Sequence, residues 1–201
     1  MNNFAPVSQI TWGGLILAGG SSRRMGTAKS SLSCQRINGL NMLQHSCQQL
    51  PSVIAKKFIL GKVSSAYPAE FSCIADDTAG AGALLAIQKF CADCSFDYLL
   101  ILPVDMPLLS STDLLNLVKH VETGGHRSCF FNNSRNQPGF PIVLHRSDFF
   151  KLSQLRHRKL FLAMQQIGAS ALPADIIGPA KLLNLNTSEQ WQHFSNGVSN
   201  D

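Results

Sequence analysis

LILAGGSSRRMGTAK, Leu15 to Lys29, sets a short apolar run against a glycine turn and then three cations, Arg23, Arg24 and Lys29, with no acidic residue among them. A turn of Gly19, Gly20, Ser21 and Ser22 brings bare backbone N–H groups within reach of an oxyanion, because glycine has no Cβ in the way and accepts positive φ. Arginine's planar fork and lysine's point charge are the two usual partners of phosphate oxygens. The stretch reads as a strand running into a phosphate-binding loop.

Two common phosphate loops are excluded. A Walker A box needs Gly-Lys followed by Ser or Thr, whereas here Thr27 follows Gly26 and Ala28 precedes Lys29. No G-x-G-x-x-G can be drawn through Gly19, Gly20 and Gly26, so the dinucleotide fingerprint is absent. An ordinary basic surface turn needs one or two special residues and not a long ordered string of them. Leu17 to Lys29 satisfies every fixed position of LAGGxSxRMGxxK, and so resembles the signature of nucleotidyltransferases with a glycosyltransferase-A-like fold.

Around this stretch, alternating strand and helix candidates define the fold class. Gly14 to Leu17, Phe58 to Leu60, Phe71 to Ala75 and Tyr98 to Leu102 read as strands; Leu40 to Leu50, Ala83 to Phe90 and the segment opened by Ser110 before Asp113 read as helices. Such repeated units predict an α/β protein of three layers, a mostly parallel sheet with helices on both faces. Beyond Glu122 the rhythm changes to strands at Cys129 to Asn132 and Phe140 to Leu144 around a polar loop. Helices near Ser147 to Leu155 and Lys159 to Ile167 follow, then a last strand at Leu182 to Leu185 and a helix capped by Thr187 or Ser188. In sheets of this kind, ligands sit at the carboxyl ends of the strands, near the point where strand order reverses. Gly19, Gly61, Asp76 with Asp77, and Asp105 all follow directly on strand candidates.

The 201 residues are 45% apolar and 14% charged, enough for one sizeable core. At roughly 150 residues per domain, a single domain over residues 1–201 is expected. Met1 to Thr11 is polar without a basic leader, and Trp12 to Ala18 is too short for a signal-peptide core or a membrane span, so the expected location is cytoplasmic with no membrane partner. The formal net charge of +5 suits a phosphate-rich partner. The cations are scattered and no aromatic residues alternate with them, so a nucleic-acid partner is not expected; the cluster Arg156 to Lys159 reads as a solvated helix start.

Six cysteines show no disulfide-framework spacing and are expected as reduced thiols. Cys91 and Cys94 form a lone C-x-x-C near a helix end, without the second pair of a structural zinc site. The six histidines are dispersed, with no H-x-H or H-E-x-x-H, and none is nominated as a metal ligand.

Asp105 stands in LLILPVDMPLL, directly after a buried strand and between Pro103 and Pro107. A carboxylate is expensive to bury alone, so an ion pair, a helix cap or a metal ion must accompany it. Magnesium accepts one or two carboxylates together with substrate phosphate oxygens and retained waters, which suits a strand-end aspartate facing a triphosphate.

LPVDMPLL resembles the aspartate segment of the molybdenum cofactor guanylyltransferase family. DDTAGAGALLAI is similar to that family's D-x5-GPLAG segment, with Asp76 in the better register and Asp77 as the alternative, and NLNTSEQW, Asn184 to Trp191, is similar to its NxNTPEDL ending. The resemblance covers nearly the whole chain. It implies an Mg²⁺-dependent nucleotidyltransferase that moves GMP from GTP to a molybdopterin-type cofactor with release of pyrophosphate, in contact with cofactor-delivery proteins. It further implies that Leu17, Ala18, Gly19, Gly20, Gly61 and Asp76 hold the nucleotide, that Arg24 and Lys29 neutralise its phosphates, that Asp105 binds the metal, and that Asn184 and Asn186 face the pterin.

Three positions depart from the family pattern. Ala28 stands where Asp is common, Gly82 to Ala86 replaces GPLAG, and Gly61 replaces an asparagine after the second strand. Gly61 and the Gly139-Phe140-Pro141 run are closer to the cytidylyltransferase of the same cofactor pathway. Cytidylyl transfer and a non-catalytic cofactor-binding relative are therefore the alternative readings.

Overall fold

The computed structural model describes residues 9–19, 28–76, 82–132, 137–156 and 159–197. Their strands are β1 (Trp12–Leu17), β2 (Lys56–Leu60), β3 (Phe71–Ile74), β4 (Tyr98–Pro103), β5 (Cys129–Asn132), β6 (Pro138–His145) and β7 (Ser170–Leu172). They form one sheet in the order β3-β2-β1-β4-β6-β5-β7. β1, β2, β3 and β4 run parallel, β6 lies antiparallel between β4 and β5, and β7 pairs parallel with β5. The expected mostly parallel sheet is what the chain builds.

Helices cover both faces. α1 (Met42–Gln49) and α3 (Ser111–Thr123) pack on one, through Leu43, Cys47, Leu114, Leu117, Val118 and Val121 against Ile16, Leu100 and Leu102. α2 (Ala83–Ala92), α4 (Phe149–Ser153) and α5 (Leu160–Gln166) pack on the other, around Leu15, Leu99 and Ile101. Successive strand residues point to opposite faces, so β1 and β4 read as continuous apolar runs because both of their faces are covered. α1 and α3 each open with a capping box, Asn41 with Gln44 and Ser110 with Asp113, in which each side chain serves the other's backbone N–H.

A third, smaller core of Ile37, Met42, Leu185 and Phe194 docks α6 (Ser188–Ser195) onto the segment before α1. The Arg36 guanidinium sits 4.9 Å above the Phe194 ring and donates to the Phe194 carbonyl at 3.2 Å. Thr187, not Ser188, caps α6, in a capping box with Gln190.

The end of the chain corrects one expectation. Leu182 to Leu185 is not a strand: Pro179–Leu182 is a 3-10 turn entered from Gly178 at φ 103°, and the last strand of the sheet is Ser170–Leu172. The apolar spacing reflects two destinations, Leu182 on the α1 and α3 side of the sheet and Leu185 in the third core. β7 escaped notice because it is three residues long and two of them are exposed, which leaves no alternation to read.

β1 lies between two parallel neighbours, with Leu17 opposite Leu60 on one side and Pro103 on the other. The three strands end in one row, and β1 and β4 flank the point where strand order reverses. Gly61 closes this row at φ 134°, and a Cβ placed there would lie 2.4 Å from the Gly19 nitrogen and 2.7 Å from its Cα. Both the dihedral and the backbone-to-backbone approach demand glycine. Gly61→Ala is expected to cost about 2 kcal/mol or more of unfolding free energy in urea, from backbone strain and a clash that no side chain can relieve. An unchanged urea midpoint would show that the two strand ends are not in contact.

Candidate functional site

The residues expected at the site come from five separate parts of the chain: Leu17 to Lys29, Gly61, Asp76, Asp105, and Asn184 with Asn186. Leu17 and Ala18 leave β1, with the Leu17 carbonyl accepting from Val104 N–H at 3.3 Å and Ala18 N–H donating to the Leu60 carbonyl at 3.0 Å. Gly19 is exposed next to them, in contact with Gly61. A methyl group on Gly19 would lie 3.9 Å from Asp76 Oδ2, which brings the carboxylate after β3 beside the glycine turn. Asp105 lies on the other side of β1, in the turn after β4. Gly20 and Arg24, and Asp77 as the alternative to Asp76, fall outside the described residues.

Asp105 is engaged by Lys29. The Nζ of Lys29, in the 3-10 turn Lys29–Ser31, lies 2.7 Å from Asp105 Oδ2, with side-chain exposures of only 18% and 13%. The same ammonium donates to Asn186 Oδ1 at 2.8 Å. The other Asp105 oxygen, Oδ1, is buried and finds no hydrogen-bond partner among the described residues. This carboxylate is half satisfied, and a buried acceptor left in that state attracts a second positive partner. Among the described residues no cluster of three or more His, Cys, Asp or Glu could hold a metal by protein groups alone.

The turn that carries Asp105 is clamped from α1, which the sequence reading did not anticipate. His45 Nε2 lies 2.9 Å from the Pro107 carbonyl, and the buried Gln49 amide donates to the Met106 and Leu109 carbonyls, both at 2.9 Å. His45 and Gln49 are four residues apart, hence on one helical face, amid the buried positions Leu43, Ser46, Cys47 and Leu50. Two polar side chains on an otherwise core-facing stripe were the available signal.

The C-terminal segment reaches the site through its backbone. Leu185 N–H donates to the Asp105 carbonyl at 2.8 Å, and Gln190 Oε1 accepts from the N–H groups of Asn186 at 2.7 Å and Thr187 at 3.1 Å. Asn186 thus meets Lys29 at the rim, whereas Asn184 is half-buried and its carbonyl accepts from Asn186 Nδ2 at 3.5 Å. Upstream, Lys181 Nζ pairs with Asp113 Oδ1 at 2.7 Å and ties the segment to the start of α3. Burial pushes the Asp113 carboxyl up, but hydrogen bonds from Lys181 and Ser110 outweigh it and hold the group below the ordinary carboxylate value.

Two sequence departures have structural explanations. Gly61 is required by its positive φ and its contact with Gly19. Ala83 takes the first position of α2 after Gly82, where proline is favoured but not required, so the altered segment still starts the helix. The cysteines are free thiols, as expected. Burial pushes Cys91 up, and burial with the nearby Asp93 pushes Cys94 up to about 11, the opposite of what a redox C-x-x-C needs.

The model of the MobA-like NTP transferase domain matches residues 14–170 of this chain. A molybdenum cofactor guanylyltransferase of Shewanella putrefaciens is 28% identical over 190 residues, covering 90% of this chain and 94% of that protein. One from Xanthomonas euvesicatoria pv. vesicatoria is 27% identical over 196 residues, covering 92% and 95%. Among solved structures, molybdopterin-guanine dinucleotide biosynthesis protein A from Archaeoglobus fulgidus superposes with a TM-score of 0.71 at 19% identity, covering 94% of this chain and all of that one. It shares the three-layer fold.

Lys181→Ala is expected to lower stability by about 1 kcal/mol at pH 7, the upper end for a pair with one exposed member. Because the native Asp113 value is depressed, this contribution is full above the ordinary carboxylate range and is lost as pH falls through the lowered native value. Urea unfolding of the parent and the variant should converge at acid pH. A difference independent of pH would assign the effect to lost packing instead.

Proposed function

Since the chain belongs to the MobA-like NTP transferase domain family, we propose that it is a nucleotidyltransferase of molybdenum cofactor biosynthesis. It transfers GMP from GTP to the terminal phosphate of a molybdopterin-type cofactor. Relatives named guanylyltransferases that align over nine-tenths of the chain support the choice of donor. The observation that carries the chemistry is Asp105, beside the end of β1, with Oδ2 on the Lys29 ammonium and Oδ1 buried without a hydrogen-bond partner among the described residues.

In this reading a phosphate oxygen of the acceptor forms a bond to the α-phosphorus of GTP, while the bond from that phosphorus to the bridging oxygen breaks and pyrophosphate leaves with the electron pair. The nucleophile is already an anion, so the protein has little proton transfer to perform and its contribution is positioning and charge. Backbone groups of Leu17, Ala18, Gly19 and Gly20 line the nucleotide, with Gly61 and Asp76 on the β2 and β3 side. Lys29 and Arg24 supply fixed positive charge at the phosphates. Asn184 and Asn186 stand on the acceptor side. Asp105 fits Mg²⁺, which needs only one or two carboxylates alongside phosphate oxygens and water and would neutralise charge on the transferring and leaving phosphates. The reaction is expected in the cytoplasm as one domain's work, with delivery proteins supplying the acceptor and no role for nucleic acid or membrane.

Thermal unfolding with each of GTP, CTP, ATP and UTP, with and without Mg²⁺, tests the donor, since a true ligand raises the melting temperature by mass action. GTP with Mg²⁺ is expected to give the largest rise. A larger rise with CTP would move the assignment to cytidylyl transfer, and binding without pyrophosphate release would favour a non-catalytic relative. Asp105→Ala is expected to cut turnover at least about a hundredfold, the scale of losing a principal electrostatic contact in a water-poor site. Turnover equal to the parent's would remove Asp105 from the chemistry.

A further inference from the structure

Neither oxygen of Asp105 is open to an incoming ion. Oδ2 is capped by the Lys29 ammonium at 2.7 Å, and Oδ1 is buried. The ammonium itself is held at a second point, the Asn186 Oδ1 at 2.8 Å. Asn186 is in turn set in place by two backbone anchors, the Leu185 N–H on the Asp105 carbonyl at 2.8 Å and its own N–H on Gln190 Oε1 at 2.7 Å. The asparagine of the C-terminal turn thus shares a cation with the carboxylate it packs beside.

A simple structural ion pair needs only two members. Here a neutral side chain from a segment 157 residues away adds a second contact to an ammonium whose chemistry suits phosphate. We propose that Asn186 is a positioning residue that parks Lys29 on Asp105, so that Asp105 becomes available to a divalent cation only when nucleotide phosphates draw the ammonium away. A triphosphate offers Lys29 a multiply charged partner, stronger than a single carboxylate or an amide oxygen. Nucleotide and divalent cation then bind cooperatively, and Asp105 takes up little metal by itself. This inference rests on the nucleotidyltransferase reading and gives Asn186 a duty toward Lys29 in addition to its place on the acceptor side.

Binding of Mn²⁺, followed by electron paramagnetic resonance, tests it in the full chain without nucleotide. Asn186→Ala leaves the net charge unchanged, so tighter metal binding in that variant reports release of Lys29 and not removal of a repelling charge. It is expected to bind Mn²⁺ at least about fivefold more tightly than the parent, the lower end of typical coupling between linked sites. Lys29→Met, which removes the ammonium outright, is expected to tighten binding at least as much. Asn186→Ser takes the place of the alanine variant if the latter fails the melting control. Parent and Asn186 variants with equal or weaker nucleotide-free Mn²⁺ affinity would overturn the proposal; a merely structural role for Asn186 would weaken the site, not tighten it. A parent protein that retains no Mn²⁺ in the presence of GTP, after correction for the metal held by free GTP, would instead sink the metal reading of Asp105 itself.

Discussion

The parallel register of β2, β1 and β4 is the constraint on which the site depends. Leu17 faces Leu60 and Pro103 across the two ladders, so the three chains leave the sheet in one row and the residues that follow are neighbours by construction. Parallel strands need crossovers of a dozen residues or more, and the helices that make them bury the sheet on both faces. That arrangement leaves the carboxyl edge as the place where polar groups gather without disturbing the core. Gly61 and Gly19 take the row to its limit, with backbones so close that any side chain at Gly61 would strike the neighbouring turn.

At this edge the physical problem is charge. Asp105 follows a strand whose central residues are fully buried, and a carboxylate there must be compensated. Lys29 compensates one oxygen, and the other has no hydrogen-bond partner among the described residues. Such an ion pair contributes little to stability, since the desolvation of both members offsets most of their attraction. The flanking turn is held as well: His45 and Gln49 of α1 bond three carbonyls, those of Met106, Pro107 and Leu109.

The C-terminal segment is the third contributor. The small core around Ile37, Leu185 and Phe194, the Lys181 to Asp113 pair and the capping box of α6 bring it back to the turn after β4. The chain therefore closes its site with residues from both ends. The matched family model stops at residue 170, and the returning segment lies beyond it.

Much of this was legible residue by residue. LILAGGSSRRMGTAK announced the strand β1 and the close approach at Gly19 because its conformational demands are local: glycine for close approach, apolar residues for a covered strand. Asp105 stood out because a carboxylate after an apolar run is costly wherever the chain goes, and Ser110 with Asp113 spelled a helix start within four residues. Leu182 to Leu185 misled because apolar spacing records burial but not the partner that does the burying. The pairing of Lys29 with Asp105 and Asn186 spans 76 and 157 residues, and no local pattern carries such a contact. Chemistry that depends on neighbours along the chain was written in the amino acids; which cation meets which carboxylate was left to the packing of the sheet and the return of the C-terminal segment, because Coulombic and hydrogen-bond partners are chosen by distance in space.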